Sequence, residues 1–338
     1  MLGVSLQFLV LATVVALAGT FLARSADQIA EITRLGRLLI GSVLLAAATS
    51  LPELTVDLSA VQQGMPDLAA GDLLGSSLMN LLILAVLDLV HSSGGKMLSR
   101  EAAAHALSAT LSIALTALVG MAILTAPRLD GGSFLGIGIW SWGLLVAYLL
   151  GVRMILLDQR VSAHAAAEAA EPNDGGAIPV QTPLWKPVVV FSVATIVLFL
   201  AGPRLAHVAG QLADLSGLGK TFVGTTLVAL CTSLPELVAS ITALRMKSID
   251  LVIGNVFGSN AFNMIMFVPL DAAHPGLLFA DISSSHAVTS FTVILATAVA
   301  VLGQLYHVEK RRRIIEPDAL LMLLILGGAL FLVYKLST

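Results

Sequence analysis

Charge is what this sequence has least of. Only 12% of its 338 residues are Asp, Glu, Lys or Arg, while 57% are hydrophobic, and a soluble domain would carry about twice that charge. With a mean hydropathy of +0.94, a water-soluble globular protein is excluded. Cysteine is nearly absent, and Cys231 has no intrachain partner for a disulfide framework. Glycine at 29 and proline at 12 are too few for collagen or for a Pro/Gly-rich disordered chain. A net charge of −3 offers no basic surface to a nucleic acid. What remains is an all-α polytopic membrane protein.

A membrane-spanning helix needs about 20 mostly apolar residues. Ten such stretches are present, at about 2–23, 38–61, 67–90, 101–125, 134–157, 186–209, 218–243, 250–270, 282–306 and 315–336. The apolar runs are consecutive rather than alternating, which argues against a membrane barrel. The first stretch has no basic residue before it and is too long for a signal-peptide core, so it is read as a helix. Fourteen of the eighteen Lys and Arg fall in odd-numbered loops, including Arg24, Arg34, Arg37 and the run Lys310 to Arg313. The positive-inside rule then puts both termini outside. The Ala-, Pro-, Gly- and acid-containing stretch 158–185 reads as a cytoplasmic linker between units 1–157 and 186–338.

Self-comparison explains the division. Thr49-Ser-Leu-Pro-Glu-Leu54 recurs as Thr232-Ser-Leu-Pro-Glu-Leu237, and Gly71, Gly75, Ser76 and Asn80 recur as Gly254, Gly258, Ser259 and Asn263, every pair offset by 183 without a gap. Chance likeness between apolar helices would match Leu and Ala, not Thr, Ser, Pro, Glu, Gly and Asn in one register. The chain is a duplicated unit, with motif regions at about 41–80 and 224–263. Five spans per unit is odd, so the second copy enters the membrane from the opposite side. Two inverted five-helix repeats are an architecture of secondary transporters, with substrate at the midplane between them.

Glu53 and Glu236 fall near the centres of their spans, where an ionised side chain costs at least about 2.5 kcal/mol. Pro52 and Pro235 precede them and, lacking an N–H, free the carbonyls of Ala48 and Cys231. Thr49 and Thr232 lie one turn before the glutamates on the same face, with Ser50 and Ser233 on the flank. Ser76 with Asn80, and Ser259 with Asn263, face them from the next spans, where Gly71, Gly75, Gly254 and Gly258 permit close approach. Kinking prolines, packing glycines and hydrogen-bonding hydroxyls are common in membrane helices, but a duplicated mid-membrane carboxylate has no use as mere packing. Oxygen donors without paired His or Cys describe a site for a hard cation: calcium takes six to eight oxygens and sodium a subset of them. Zinc and copper are disfavoured.

At these residues the chain resembles the cation/calcium exchanger superfamily, and within it sodium/calcium exchangers of prokaryotic size. That family's motifs, Gly-Thr-Ser-x-Pro-Glu and Gly-Asn-x-x-Gly-Ser-Asn-x-x-Asn/Asp, stand here as Ala48-Thr-Ser-Leu-Pro-Glu53 with Gly71-Asp-Leu-Leu-Gly-Ser-Ser-Leu-Met-Asn80, and as Cys231-Thr-Ser-Leu-Pro-Glu236 with Gly254-Asn-Val-Phe-Gly-Ser-Asn-Ala-Phe-Asn263. The resemblance implies that Glu53 and Glu236 are the central calcium ligands, aided by carbonyls of Thr49 and Thr232. It implies sodium sites at Thr49, Ser76, Thr232 and Ser259 with backbone oxygens of Ala46 and Ala229, and Asn80 and Asn263 completing the set. It also implies sodium entry coupled to calcium exit, with spans 1 and 6 sliding to switch access. The departures are Asp72 and Ser77 where Asn is usual, Asn263 where Asp is frequent, and Ala48 and Cys231 where Gly opens the motif. Asp72 either restores a carboxylate to the site or sits solvated at a helix end, and Asp57, one turn past Glu53, reads as a vestibule or pairing residue.

The expected function is a secondary antiporter exchanging sodium for calcium by alternating access. The alternative is a proton/calcium or other cation/proton antiporter in which the glutamates titrate. An intramembrane hydrolase would need a metal-binding His pair or a Ser/Lys nucleophile at depth, and neither is visible. The chain is therefore expected not to be an enzyme and to need no cofactor, with calcium, sodium and in the alternative protons as its ions, lipid as its surroundings and no obligate protein partner. The expected location is a bacterial inner membrane. The histidines and Trp140, Trp142 and Trp185 lie near span ends, as interfacial residues do, and Asp27 and Glu31 are read as balancing Arg24 and Arg34.

Overall fold

In hydrocarbon every backbone N–H and C=O must find a partner within its own segment, so the apolar runs fold as helices. The computed structural model describes residues 2–90, 105–128, 132–169, 183–215 and 230–305, with 321, 323–325 and 327–328. In chain order these form α1 (Leu2–Thr33), α2 (Arg37–Gln62), α3 (Pro66–Val90), α4 (Ala106–Thr125), the strands β1 (Ser133–Phe134) and β2 (Ile137–Gly138), α5 (Ile139–Ala169), α6 (Trp185–Leu215), α7 (Leu234–Arg245), α8 (Ile249–Ala273), α9 (Leu278–Asp281) and α10 (His286–Leu305). Among the described residues eight helices, all but the shorter α7 and α9, are long and apolar enough to cross a membrane. Residues 218–229 of the expected seventh span and most of the tenth lie outside the described residues, as do Lys96, Arg100 and residues 170–182 of the linker.

Two helices outrun their expected spans. α1 continues ten residues past 23 to Thr33, and α5 runs through Ala169, because hydropathy marks the apolar slab whereas Ala-rich sequence such as 163–169 propagates helix beyond it. The β1–β2 hairpin turns through Leu135 and Gly136, both at positive φ (55° and 79°), the conformation that a two-residue turn with right-handed strand twist requires.

α8 lies at the centre, with 83% of its most apolar stretch buried, against 22% for α5 and 28% for α1. α2 and α3 pack on α8, α4 packs on α10, and α1 and α6 lie along each other on the outside. Two apolar clusters fill the interior. One contains Leu45 of α2, Leu81 and Leu84 of α3 and Phe257 of α8; the other contains Val61 of α2, Leu73 and Leu74 of α3 and Phe267 and Leu270 of α8. Along α2, α3 and α8 the residues between the two clusters are polar.

Small residues set the closest approaches. α2 is π-helical over Ile40–Leu45, a local widening typical of functional sites, and this turn meets α8 backbone to backbone. A Cβ on Gly254 would lie 2.9 Å from the Leu38 carbonyl oxygen and one on Gly41 3.0 Å from that of Leu251, while Gly258 sits against the Ser42 backbone with no room for a side chain. Gly71, in contrast, faces the ring of His286 on α10 rather than a glutamate helix, and Gly75 has no described neighbour within 4 Å. Gly202 of α6 packs on Pro52 of α2, and Gly19 of α1 packs on Pro235 and Val238 of α7. These two glycines are again 183 apart.

Polar anchors tie the helix ends. Asp27 of α1 pairs with Arg37 of α2 at 2.5 Å and accepts from the Ser248 hydroxyl at 2.8 Å, so its partner is not Arg24 or Arg34, because the turn after Thr33 brings Arg37 back against α1. His105 is buried and meets Asp250 at 2.9 Å, a packed rather than a solvated histidine. Asp271 of α8 is fully buried and accepts three bonds, from the Gly138 and Leu278 amides and the Ser141 hydroxyl, at 2.6 to 2.9 Å. Three donors satisfy a buried carboxylate, so Asp271 fastens α5 and α9 to α8.

Replacing Gly258 by alanine is predicted to destabilise the fold by about 1–3 kcal/mol, the usual cost of overpacking a close contact. Gly143→Ala, where no atom lies within 4 Å of the new methyl group, should leave stability within about 0.5 kcal/mol of the parent. Thermal unfolding of the two variants in detergent checks this. Equal midpoints would show that the α2–α8 contact is not tight.

Candidate ion-binding site

Helical spacing of four puts Thr49, Glu53 and Asp57 on one face of α2, and Asp72, Ser76 and Asn80 on one face of α3. The same spacing aligns Asn255, Ser259 and Asn263 on α8, and Glu236 and Ser240 on α7 with Thr232 just before it. All are buried except Asp72, which is half-buried, and together they form the polar layer between the two apolar clusters. The helices differ in how they carry it. α2 keeps Pro52 inside a continuous helix, whereas the second copy breaks at Ser233 (φ −84°, ψ 7°) and restarts with Pro235 in the first turn of α7. A proline at a helix start gives up no hydrogen bond, and the break leaves the Cys231 carbonyl at the end of the preceding helical turn.

The two copies join at the glutamates. Ser50 Oγ donates to Glu236 Oε1 at 3.0 Å, and Thr49 also borders Glu236. Glu53 faces Glu236, Ser76, Asp72 and Asp57. Below them the asparagines form a chain. Asn80 Nδ2 donates to Asn260 Oδ1 at 3.0 Å, Asn260 Nδ2 to the Ser77 carbonyl at 3.2 Å, and Asn263 Nδ2 to the Leu73 carbonyl and Ser77 Oγ at 3.4 Å each. The amide donors are thus spent on protein, and the amide oxygens of Asn80 and Asn263 are left over.

That remainder is systematic. Glu53 Oε2 and Glu236 Oε2, Ser76 Oγ and Ser259 Oγ, and Asn80 Oδ1 and Asn263 Oδ1 are buried without a hydrogen-bond partner, and each pair is related by the 183-residue offset. Ser233 Oγ is a seventh such oxygen. Buried polar atoms are almost always satisfied, and leaving one bare costs about 1–3 kcal/mol. Six bare oxygens in three related pairs form a set of acceptors able to take a positive charge. Among the described residues no three His, Cys, Asp or Glu side chains converge on one point, so any ion here takes two carboxylates and neutral oxygens, a donor set for a hard cation.

Most of the residues expected from sequence meet in this layer: Thr49, Ser50, Glu53, Asp72, Ser76, Asn80, Glu236 and Asn263 through the contacts above, and Thr232, Ser233 and Ser259 by burial and register. The Ala46 carbonyl accepts the Thr49 hydroxyl at 3.2 Å, and Ala229 lies outside the described residues. Asp72 is half-buried, with its Oδ2 buried and facing Asp57. Sequence reasoning passed over Asn260, which bonds to both Asn80 and Ser77. Its signal was available, because it stands at the motif position that its counterpart Ser77 departs from.

The chain matches the family model for sodium/calcium exchanger proteins over residues 4–154 and 186–335. It belongs to the sodium/calcium exchanger family. CaxA of Alkalimonas amylolytica is 27% identical over 317 residues, covering 92% of each chain, and the inner membrane protein YrbG of Escherichia coli K12 is 30% identical over 239 residues, covering 70% of this chain and 69% of YrbG. The sodium/calcium exchanger MaX1 of Methanosarcina acetivorans is 43% identical over 74 residues, 20% of this chain and 21% of MaX1. The fold matches the solved sodium-calcium exchanger NCX_Mj soaked with 10 mM Na+, with a TM-score of 0.71 at 21% identity over 98% of this chain and 99% of that one. The family is one of transporters, and its fold accounts for the packing seen here.

Asn260→Leu is predicted to lower stability by about 1–3 kcal/mol, since it strands the Asn80 amide and the Ser77 carbonyl in the interior. Thermal unfolding without added calcium or sodium measures it, and an unchanged midpoint would mean that the asparagine chain carries no structural load.

Proposed function

We propose that this protein is a secondary antiporter that exchanges sodium for calcium by alternating access, binding the ions between two inverted five-helix repeats of a ten-helix chain. The carrying observation is the set of six orphaned buried oxygens in three pairs related by the 183-residue offset. A calcium ion held by Glu53 and Glu236 would neutralise both carboxylates at once and take Asn80 and Asn263 through their free amide oxygens. Two or more sodium ions would use Ser76, Ser259, Thr49 and Thr232 with carbonyls such as those of Ala46 and Ala229. Ser50 and Ser233 orient the glutamates. Competition for shared oxygens couples the two ions without ATP.

Inversion is supported by the paired contacts of the outer helices, Gly202 on Pro52 and Gly19 on Pro235 and Val238. Each outer helix crosses the glutamate helix of the opposite copy through a residue with no side chain. α1 and α6 are the elements we assign to the sliding motion, since they border the site yet bury little of their surface. Units 1–157 and 186–338 are the two repeats and 158–185 connects them. The excess of Lys and Arg in odd-numbered loops supports both termini outside, and the likeness to the inner membrane protein YrbG supports an inner-membrane location.

Radioactive calcium uptake into proteoliposomes, driven by an outward sodium gradient, an outward proton gradient or neither, tests the reading. Uptake under the sodium gradient is expected, and uptake under the proton gradient alone would make the protein a cation/proton antiporter. Glu53→Gln and Glu236→Gln are each predicted to cut uptake at least about a hundredfold, equivalent to about 2.7 kcal/mol, with an unchanged elution profile. Full activity in either variant would remove that glutamate from the site.

A further inference from the structure

The layer contains a second set of bare oxygens that the exchanger site does not use. Asp57 is 1% exposed and neither of its carboxylate oxygens has a hydrogen-bond partner. Asp72 Oδ2 is buried and unpartnered as well, and the two side chains face each other from α2 and α3. Of the charged groups that face Asp57, Asp72 and Glu53 among the described residues, all are acidic: Asp57, Asp72, Glu53 and Glu236.

The other copy shows what an idle version of this place looks like. At the 183-residue offset Asp57 becomes Ser240 and Asp72 becomes Asn255. There Asn255 Nδ2 donates to Ser240 Oγ at 3.2 Å, a neutral pair joined by a hydrogen bond that leaves only the Asn255 amide oxygen bare. The same helix crossing thus carries two carboxyl groups in one copy and none in the other. Two carboxyl groups facing each other in a medium that screens them poorly stay together only with something positive between them, a shared proton or a cation.

We propose that Asp57 and Asp72 hold a second divalent cation, calcium, beside Glu53 on the α2–α3 turn side of the polar layer, at a place that has no equivalent on the other side. The two carboxylates offer four oxygens, and half-buried Asp72 leaves room for water ligands to complete a calcium shell. A divalent ion cancels the paired charge, which a monovalent ion would leave half uncancelled. The place lies one helical turn from Glu53 on α2 and one turn from Ser76 on α3, adjacent to the central set without sharing its asparagines. An ion resting there enters or leaves the central site by one short step past Glu53, and two like-charged ions in neighbouring places speed each other's departure. With termini outside, the α2–α3 turn is extracellular, so calcium would be staged on that face and not on the cytoplasmic one. The inference rests on Glu53 and Glu236 forming the central site, and stoichiometry separates the two claims.

Equilibrium binding of radioactive calcium to the purified full-length chain, without sodium, is the test. The parent is expected to bind two ions per chain. The variant Asp57→Ser with Asp72→Asn transplants the pair that the second copy already tolerates, and is expected to bind one. Glu53→Gln with Glu236→Gln is also expected to bind one. A transplant variant that binds as many ions as the parent overturns the staging site, and so does a parent that binds only one, since the aspartates would then be sharing a proton. Undiminished binding in the Glu53→Gln, Glu236→Gln variant, with loss in the transplant, overturns the central site instead. If the transplant fails to fold, Asp57→Asn alone is read by the same count.

Discussion

Everything in this molecule is arranged around carboxylates that have been taken out of water and given too few donors. In a membrane interior that is a large cost, and among the described residues no basic side chain faces Glu53, Glu236, Asp57 or Asp72 to offset it. A protein built only to be stable would replace these groups with leucine at no loss of packing. Their retention makes sense if the missing charge arrives from outside and leaves again. A permanently satisfied site would bind its ion and keep it.

The rest of the fold holds that unsatisfied layer in place. Apolar clusters flank it along α2, α3 and α8, and of the layer's members only Asp72 is half-buried rather than buried. The supporting helices meet through glycine: Gly258 on Ser42, Gly254 on Leu38, Gly202 on Pro52 and Gly19 on Pro235. These contacts are of two kinds. Those of α8 set backbone on backbone in the π-helical turn of α2, whereas those of α1 and α6 set a glycine against side-chain atoms of Pro52 and of Val238 on the proline-bearing helices.

The sequence made a good part of this visible. A 183-residue offset in Thr, Ser, Pro, Glu, Gly and Asn cannot arise from generic apolar patterning, so the duplicated motif and its glutamates stood out, and a period of four identified which oxygens share a face. What escaped was contact between helices. Asn260 bonds to Asn80, and Asp27 pairs with Arg37 rather than with the nearer Arg24, because both depend on how segments cross, which no spacing within one segment encodes. Asp72 had two equally open readings until α2 lay beside α3 and put Asp57 opposite it. The widened turn at Ile40–Leu45 and the break at Ser233 are likewise responses to a neighbour, and similar sequence in the two copies gives a continuous helix in one and an interrupted helix in the other.

The Ser50 to Glu236 bond has a further consequence, because it spans the seam between the two halves. On the proposed site neither half owns a complete ligand shell, so neither would recognise a cation by itself. With the shell empty, Glu53 and Glu236 would repel each other across that seam, and with it filled the same two groups would pull the halves together. The cargo would then be mortar for the protein that carries it. Mechanical tightness of the seam would rise and fall with each turnover, and a chain severed between its halves would be held together by the ion itself.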